Sequence, residues 1–408
     1  MTFGATSEVG RLKSVLLHQP GWEHRRVLPW NKDALLFDDL LDLEEARPQH
    51  KELSHTFTSH GVDVLFVGDL LKDLCRDAAT RAEIYREVLQ DVPIPADIQP
   101  YDLISGYPRA WQDGDAGWEP LPNLYFMRDP AFAVPGGLVI SRPYWPARQR
   151  ESRIVAAVLK RHPHFAGATI YDGILHDPSA SLEGGDVLVA DAENVIVGIG
   201  ERTNHAGADH LARYLFEHTT VRRVFKLSIP AKREFMHLDT IMTFVDHGQV
   251  LTMPYLWDRP DVYARIAARA QQQCAKLGFP YRGPDPMSFE KATSLEVWTP
   301  DGMQKRYDDE MRGLADYGVI DAARTITVAG PQESFPTAED HAIEALREQW
   351  NDGANVVTVK PGQVIAYSRN DRTIRALEEA GVEVLSIQGS ELVRGRGGAR
   401  CMSMILSR

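Results

Sequence analysis

Short apolar runs, turn residues and helical stretches follow one another in the same order several times along this chain. Residues 129–173 contain two β-branched runs around a Pro-Gly-Gly turn, then a polar stretch, a helical pattern and a third apolar run. Residues 186–230 follow the same order, with a turn near Asp191 and a helix over about 206–216. Short runs bounded by turn residues predict strands, so we expect each segment to form a ββαβ unit.

A third copy of the pattern occupies residues 355–392 and turns at Pro361, in "VKPGQV". Its helix is predicted by the spacing of Ile374 and Leu377, and Gly381 is well placed to end that helix.

The N-terminal part of the chain has a split version of the same unit. Apolar runs in residues 11–21 and 61–71 lie on either side of a helical pattern over about 43–60, and residues 237–257 supply another strand–turn–strand. We therefore predict an α/β protein of four or five ββαβ units, and such repetition favours a radial arrangement about a pseudo-axis. A mixed α/β domain whose hairpins resemble one another by chance is the alternative.

Two segments interrupt the repeats. Residues 72–120 combine a helical pattern over 73–92 with a loop rich in Pro, Gly and Trp. Residues 256–337 combine a helical pattern over 259–278 with an irregular stretch rich in Pro and Gly. We expect both segments to be insertions into a single domain that spans residues 1–408.

Composition excludes several classes of protein. The formal net charge of −12 argues against a dedicated nucleic-acid binder, which would carry a basic excess. No apolar run approaches the length of a membrane span, and "MTFGATSEVGRLK" lacks the layout of a signal peptide. Three cysteines do not make a disulfide framework, which points to a reducing cytoplasm. Two of them, Cys75 and Cys274, lie in helical patterns and are expected to be structural.

The third cysteine, Cys401, follows the unusual sequence "GRGGAR" near the end of the chain. Glycines permit a loop there, and Arg394, Arg396 and Arg400 would favour the thiolate, so Cys401 is a candidate nucleophile. A buried structural cysteine is the alternative. A cysteine-dependent phosphatase would need an arginine six residues after the cysteine, where this chain has Ser407.

Polar residues beside apolar strands complete a candidate site. His237 and Asp239 would share one face of a strand, as a general acid/base next to a cation-binding group, a surface polar pair or half of a metal site. Further candidates stand in "LPNLYFMRDPAF" and "SLEGGDVLV": Asn123, Phe126, Arg128, Asp129, Glu183 and Asp186. Each could be an ordinary polar loop residue. Together the carboxylates suit a planar, cationic substrate such as a guanidinium, whose central carbon a thiolate could attack.

The ordered motifs resemble those of arginine deiminases, within the guanidino-modifying superfamily that includes amidinotransferases and dimethylarginine hydrolases. The resemblance runs nearly end to end, through "SEVGRLKSVLLHQPG", "LLFDD", "LPNLYFMRDP", "YWPARQRES", "LEGGDVLV", "GIGERT", "MHLDT", "WNDGANVVTVKPGQVIAYSRN" and "ELVRGRGGARCMSM". It implies a five-bladed ββαβ propeller with a shortened helical excursion near 72–120 and an extended insertion near 256–337. "FMRDP" also departs from the family pattern, with Met127 where threonine is common.

The resemblance also implies residue roles. Cys401 would be the nucleophile, His237 the general acid/base supported by Glu183, and Asp129 and Asp239 the residues that grip the guanidinium. The residues expected to bind the rest of the substrate are Asn123, Phe126, Arg148, Arg202 and Arg396, with Asp186 as a further candidate.

The implied reaction is hydrolysis of L-arginine to L-citrulline and ammonia through an S-alkylthiouronium intermediate, with no metal and no cofactor. The same chemistry on a modified arginine, or amidinotransfer to an amine, are the alternatives. The only partner expected is the small-molecule substrate, without nucleic acid or membrane, while a homo-oligomer stays open. A non-enzymatic guanidino-binding protein is disfavoured by the full Cys/His/carboxylate set.

Overall fold

The structure is a computed structural model that describes residues 3–107, 117–256, 260–290 and 294–408. Its backbone contacts divide the chain into two compact units. Unit 1 comprises Met1–Ala5, Leu12–Gly184 and Ile387–Arg408, and unit 2 comprises Thr6–Arg11 and Gly185–Ser386. Both units are α/β.

The secondary structure of the described residues alternates short strands with helices. The strands are β1 (Ser14–Leu17), β2 (Asp63–Phe66), β3 (Ala131–Val134), β4 (Gly137–Ile140), β5 (Ile170–Tyr171), β6 (Val187–Val189), β7 (Asn194–Ile199), β8 (Arg223–Ser228), β9 (Met242–Asp246), β10 (Gln249–Thr252), β11 (Ser294–Thr299), β12 (Gly302–Tyr307), β13 (Ile326–Thr327), β14 (Val357–Lys360), β15 (Gln363–Tyr367), β16 (Glu383–Ile387) and β17 (Met404–Ser407). The α-helices are α1 (Leu43–Ser59), α2 (Val67–Leu74), α3 (Ala78–Leu89), α4 (Asp102–Ser105), α5 (Pro146–Arg161), α6 (His205–His218), α7 (Pro260–Leu277), α8 (Met287–Glu290), α9 (Glu310–Asp316), α10 (Ala338–Trp350) and α11 (Asp371–Glu379).

Unit 1 contains two three-stranded sheets of the predicted ββαβ kind. In one, β3 and β4 form an antiparallel hairpin, α5 follows, and β5 returns parallel to β4. In the other, β1 lies between β17, its antiparallel partner, and β2, its parallel partner, with α1 as the connection from β1 to β2. The split N-terminal unit is therefore confirmed, and the C-terminal strand completes it. Every residue of β1 and of β17 is buried, which explains why apolar residues follow one another in both strands.

Unit 2 contains three sheets. The hairpin β6–β7, helix α6 and strand β8 form one predicted unit, and β14, β15, α11 and β16 form another. The hairpin β9–β10 is completed by β13, which pairs parallel to β10. Gly381 has a φ of 82°, a left-handed conformation suited to glycine, directly after the end of α11. The core of this unit packs apolar side chains such as Phe225, Leu251 and Val297.

The helical pattern predicted over 73–92 contains all of α3 but only the end of α2, which stops at Leu74. Asp77 caps α3, with its side chain accepting a hydrogen bond from the backbone N–H of Thr80 at 2.7 Å. An N-cap residue takes an extended backbone, so α3 starts as a separate helix after α2 has ended at Leu74. Part of the loop that was expected after these helices, residues 108–116, lies outside the described residues.

The stretch that was expected to be irregular after α7 contains a regular hairpin. Strands β11 and β12 pair antiparallel around "TPDG", and β11 also pairs with β8, which extends that sheet to five strands. The Asp-Gly pair is a strong hairpin signal that the sequence interpretation passed over. Residues 257–259 and 291–293 in this segment are not described. Among the residues that are, no helix has both the length and the apolar character needed to cross a membrane.

Candidate active site

Helix α5 carries an arginine into the interior of unit 1. The helix begins at Pro146, a residue suited to the first helical position because its φ is already helical, and residues 154–159 are all buried. Within the first turn of this helix, Arg148 is only 3% exposed. A buried guanidinium is stable only when it is paired and hydrogen-bonded, so its partners define the site.

Three buried carboxylates surround this guanidinium. Its Nη1 donates to Oδ2 of Asp129 at 2.8 Å and to Oε2 of Glu183 at 3.5 Å. Its Nη2 donates to Oε2 of Glu151 at 2.8 Å, and its Nε is 3.1 Å from the same oxygen. We call these four side chains the Arg148 cluster. It brings together three residues that the sequence had predicted for the site.

The fourth member, Glu151, was missed by the sequence interpretation. It lies three residues after Arg148 in "YWPARQRES", on the same side of the helix, and this spacing was the available signal. Burial raises the pKa of Glu151 to about 7, opposed by the charge of Arg148 and reinforced by the negative charges of Asp129 and Glu183. Burial is the largest cause of this rise, and the three carboxylates of the cluster share a single cation.

The pKa of Arg148 responds in the opposite direction. Burial would lower it, but the charges of Glu151, Asp129 and Glu183 outweigh burial and raise the pKa of Arg148 well above its ordinary value. Arg148 is therefore a permanent cation.

Backbone contacts fix two of the carboxylates. The Tyr144 N–H donates to Oε1 of Glu183 at 3.2 Å, and the Gly184 N–H donates to the carbonyl of Asp129 at 3.2 Å. A Cβ on Gly184 would come within 2.1 Å of the Arg128 carbonyl oxygen, so only glycine permits this approach. The first glycine of "LEGGD" therefore joins the two acidic segments.

The pocket residues predicted from "LPNLYF" lie beside this cluster. Asn123 is buried, its side-chain N–H donates to the Leu35 carbonyl at 2.7 Å, and its own carbonyl accepts from Nη2 of Arg148 at 3.4 Å. Phe126 is also buried, with its ring centroid 3.9 Å from that of Tyr125.

The glycine loop before Cys401 packs tightly on these aromatic rings. A Cβ on Gly397 would lie 2.2 Å from Phe126, and one on Gly395 would lie 2.2 Å from the Tyr125 hydroxyl. Close packing therefore requires the two glycines. A left-handed backbone is not the reason, because the φ of 64° in this loop belongs to Arg396. A non-glycine residue in that conformation is held by its surroundings, and strain of this kind is typical of functional loops.

Cys401 lies in a turn between this loop and β17, and only 3% of it is exposed. Its carbonyl accepts a hydrogen bond from the Arg128 N–H at 2.9 Å, which ties it to the residue preceding Asp129. The Met402 N–H donates to the Gly398 carbonyl at 3.2 Å and closes the turn.

Arg394 and Cys75 bear on the predictions made for the cysteines. Arg394 was expected to favour the Cys401 thiolate, but its Nε lies 2.8 Å from the Glu391 carboxylate and it also pairs with Asp39 at the surface. Its charge is thus already balanced. Burial raises the pKa of the Cys75 thiol to about 11, which fits the structural role expected of that residue.

Unit 2 presents the remaining predicted residues on two turns joined by Asp186. Its Oδ1 accepts from the Leu238 N–H at 2.9 Å, between His237 and Asp239, and its Oδ2 accepts from the Thr203 hydroxyl at 2.6 Å. The carboxylate therefore fixes the "HLD" turn to the residue that follows Arg202.

The "HLD" turn has further support within unit 2. The His237 carbonyl accepts from both the N–H and the hydroxyl of Thr240, at 3.1 and 2.7 Å, and the Asn355 side chain donates to the Asp239 carbonyl at 3.1 Å. His237 and Asp239 are 1% and 0% exposed. Arg202 is also buried, with its Nε 3.7 Å from the Glu201 carboxylate.

Comparison with known proteins decides the family. The model of the family described as arginine deiminase matches residues 105–408. An arginine deiminase from Staphylococcus haemolyticus (strain JCSC1435) is 31% identical to this chain, over 98% of the chain and 97% of the relative. The chain belongs to the arginine deiminase family. It is therefore a hydrolase that acts on guanidino C–N bonds, and the predicted resemblance is confirmed.

Solved structures place this arginine deiminase family member in the expected superfamily fold. DDAH from Pseudomonas aeruginosa, complexed with citrulline, has a TM-score of 0.52 and 15% identity, over 97% of this chain and 99% of that one. SxtG, an amidinotransferase from Microseira wollei, has a TM-score of 0.55 and 14% identity, over 100% and 97%. At such identities these neighbours establish the fold alone.

Proposed function

We propose that this protein hydrolyses L-arginine to L-citrulline and ammonia, with Cys401 as a covalent nucleophile. The observation that carries the proposal is the Arg148 cluster, in which three buried carboxylates surround one guanidinium. Its excess of negative charge would stabilise a further cation, and the substrate of the family is a cationic guanidinium. The assignment to arginine deiminases makes arginine the first substrate to test.

In the proposed first step, the Cys401 thiolate adds to the central carbon of the substrate guanidinium. The C–S bond forms as the π electrons move onto nitrogen, which gives a tetrahedral adduct. His237 donates a proton to one terminal nitrogen, the C–N bond breaks, and ammonia leaves. The product of this step is an S-alkylthiouronium on Cys401.

In the proposed second step, His237 removes a proton from water and the resulting hydroxide adds to the same carbon. Collapse of this second adduct forms the C=O bond, breaks the C–S bond, regenerates the thiolate and releases citrulline, while the hydroxyl proton passes to solvent water and from there to the released ammonia. Every proton and electron pair is accounted for by the cysteine, the histidine and water, so the proposed cycle uses no metal and no cofactor.

The proposed roles of the acidic residues follow the family motifs. Asp129 and Asp239 bind the substrate guanidinium, and Glu183 supports His237. The contacts of Asp186 go to the "HLD" turn and to Thr203, which favours a positioning role over the predicted contact with substrate.

The proposed roles of the basic residues need one refinement. Arg202 and Arg396 would bind the substrate α-carboxylate, with Asn123 and Phe126 lining the pocket. Arg148 was expected to do the same, but its guanidinium already holds Asp129. Its other N–H groups go to Glu151, Glu183 and the Asn123 carbonyl, so we propose that Arg148 fixes the carboxylates and leaves the α-carboxylate to Arg202 and Arg396.

At the level of the whole chain, we propose that the five ββαβ sheets form the five blades of a propeller and that residues 1–408 act as one catalytic domain. The segments 72–120 and 256–337 would then be insertions in that domain. The shared fold of DDAH and the amidinotransferase supports this arrangement.

A product assay tests the proposed function. Purified protein is incubated with L-arginine, and citrulline and ammonia are quantified for the wild type, for Cys401→Ala and for the control Cys274→Ala, whose cysteine is half-buried in α7. We expect equal amounts of the two products from the wild type and the control, and none from Cys401→Ala. Turnover by Cys401→Ala would refute the nucleophile assignment.

The same assay separates the alternatives. Ornithine that forms only when an amine acceptor is added would identify an amidinotransferase. Turnover of a methylated arginine without turnover of arginine would identify a hydrolase of modified arginine.

A further inference from the structure

A second concave site lies in unit 1, on the side of α5 away from the Arg148 cluster. It is a cavity of about 290 Å³ lined by Gln90, Arg142, Gln149, Arg153 and His176, among others. No member of the Arg148 cluster lines it. The cavity therefore needs an explanation of its own.

Two guanidinium groups share this cavity. Nη1 of Arg142 donates to the Ala180 carbonyl at 3.1 Å, and Nη1 of Arg153 donates to the Val88 carbonyl at 3.4 Å. Each arginine is thus held in place by a single backbone acceptor. Among the residues that the structure describes, neither arginine forms an ion pair with a carboxylate.

The positive charge of Arg142 disfavours the charge of Arg153. Burial lowers the pKa of Arg153, and the neighbouring positive charge of Arg142 lowers it further. Like charges at close range in a partly buried site raise the free energy of the empty pocket. A bound anion would reverse that effect.

The acidic residue at the rim does not supply this anion. Glu87 lines the cavity, but its carboxylate is 2.5 Å from Nη2 of Arg161. Asp172, 3.1 Å from His176, also pairs with Lys160, so its negative charge is already balanced. The positive charge of Arg142 and Arg153 remains in excess at the cavity.

The size and donors of the cavity select the class of ligand. Drug-sized ligands occupy pockets of roughly 300–1,000 Å³, so a cavity at the lower limit suits a small molecule. Guanidinium groups present paired N–H donors that match the oxygen spacing of phosphate and carboxylate. A tetrahedral oxyanion has enough acceptor oxygens to serve two guanidinium groups.

We propose that this cavity is an anion site that binds a phosphate group, and that Arg142 and Arg153 are the residues that bind it. The site is separate from the proposed chemistry and does not depend on it. The cavity and the Arg148 cluster share two chain segments. Arg142 pairs with Leu182, which precedes Glu183, and Arg153 lies on α5, the helix that carries Arg148. A bound phosphate would therefore hold both segments and stabilise unit 1.

Thermal unfolding and calorimetry with inorganic phosphate test the proposal, at neutral pH and with ionic strength held constant by chloride. The wild type should show a saturable rise in Tm and a measurable Kd. Arg142→Gln and Arg153→Gln should each weaken phosphate binding by roughly tenfold or more, which is the loss expected from one charge-assisted contact. The control Arg76→Gln, which removes an exposed arginine paired with Asp73, should bind phosphate as the wild type does.

Additional variants and ligands keep the outcome interpretable. Arg142→Lys retains the charge without the paired donors and should bind with intermediate affinity, which covers the case in which a glutamine variant fails to fold. Phenyl phosphate is titrated in parallel, and binding at least as tight as that of inorganic phosphate would identify a phosphate monoester as the ligand. No saturable response of the wild type to either compound would overturn the proposal, as would unchanged affinity in both glutamine variants.

Discussion

The Arg148 cluster and a second buried ionic cluster of unit 1 balance their charges in opposite ways. In the second, which we call the Glu23 cluster, Oε1 of Glu23 accepts from the Gly21 N–H at 2.7 Å and lies 3.0 Å from Nε2 of His18. Its Oε2 accepts from the Tyr101 hydroxyl at 2.6 Å. One carboxylate is here surrounded by donors, whereas in the Arg148 cluster one donor group is surrounded by carboxylates.

The pKa values of the two glutamates express this difference. Burial opposes ionisation of Glu23. Hydrogen bonds from His18 and Tyr101, together with positive charge on His18 and His24, nevertheless lower the pKa of Glu23 to about 2. The pKa of Glu151 rises to about 7. The Glu23 cluster is satisfied from within and stabilises the fold, while the Arg148 cluster carries an excess of acid that a cationic substrate would offset.

The largest expected effect comes from removing the central cation with Arg148→Met. Three buried carboxylates would lose their shared partner, and breaking a buried ion pair in this way costs about 3–5 kcal/mol. We expect that loss in the free energy of unfolding, measured in urea at neutral pH, together with loss of citrulline formation. The matched Arg76→Met change, at an exposed pair, should cost less than about 1 kcal/mol. Equal losses in the two variants would contradict the central role of Arg148.

The next effect is expected from Glu23→Gln. Because the pKa of Glu23 falls from 4.5 to about 2 on folding, its ionised form stabilises the protein above pH 4.5, and this contribution is lost as pH falls through 2. The variant should lack about 3 kcal/mol of unfolding free energy at neutral pH. A variant as stable as the wild type at neutral pH would show that the donors around Glu23 do not favour its charge.

Glu151→Gln should change stability in the opposite sense. The pKa of Glu151 rises from 4.5 to about 7 on folding, so its contribution is present below 4.5 and is lost as pH rises through 7. As pH rises from about 5.5 to 8, the unfolding free energy of the wild type should fall by about 2 kcal/mol relative to that of the variant. Both are measured by urea unfolding. A shift of the same sign as that of Glu23→Gln would remove the distinction between the clusters.

The smallest effect concerns His50, a buried neighbour of the Glu23 cluster. Neither ring nitrogen of His50 has a hydrogen-bond partner among the described residues, and burial, with the charge of His18 adding to it, lowers its pKa to about 3. Folding therefore opposes protonation, and stability is lost as pH falls below 6.5. The unfolding free energy that is lost as pH falls from about 7.5 to 5.5 should be about 1 kcal/mol smaller in His50→Leu than in the wild type, measured by urea unfolding. An unchanged pH dependence would mean that His50 does not contribute to acid sensitivity.

The sequence predicted the ββαβ units because strand and helix periodicities are local properties of the chain. It did not predict the break at Asp77, where one capping side chain divides an otherwise continuous helical pattern. The hairpin of β11 and β12 was missed although its Asp-Gly turn was visible, because the surrounding Pro and Gly residues suggested irregular structure.

The candidate site shows a different limit. Motifs located Asp129, Arg148 and Glu183, but only the folded chain shows that one guanidinium joins them and that Glu151 completes the set. The sequence also suggested a direct substrate contact for Asp186, whereas its carboxylate accepts from two groups of its own unit. Partners of this kind are set by tertiary contacts, which no local pattern encodes.

The most direct test of the proposed chemistry is to trap the covalent intermediate. Enzyme turning over L-arginine is quenched in acid, digested and analysed by mass spectrometry. The account predicts that the peptide containing Cys401 gains the mass of arginine minus ammonia, while the peptides with Cys75 and Cys274 do not change. Citrulline formation with no modification of Cys401, or with the added mass on another residue, would contradict it.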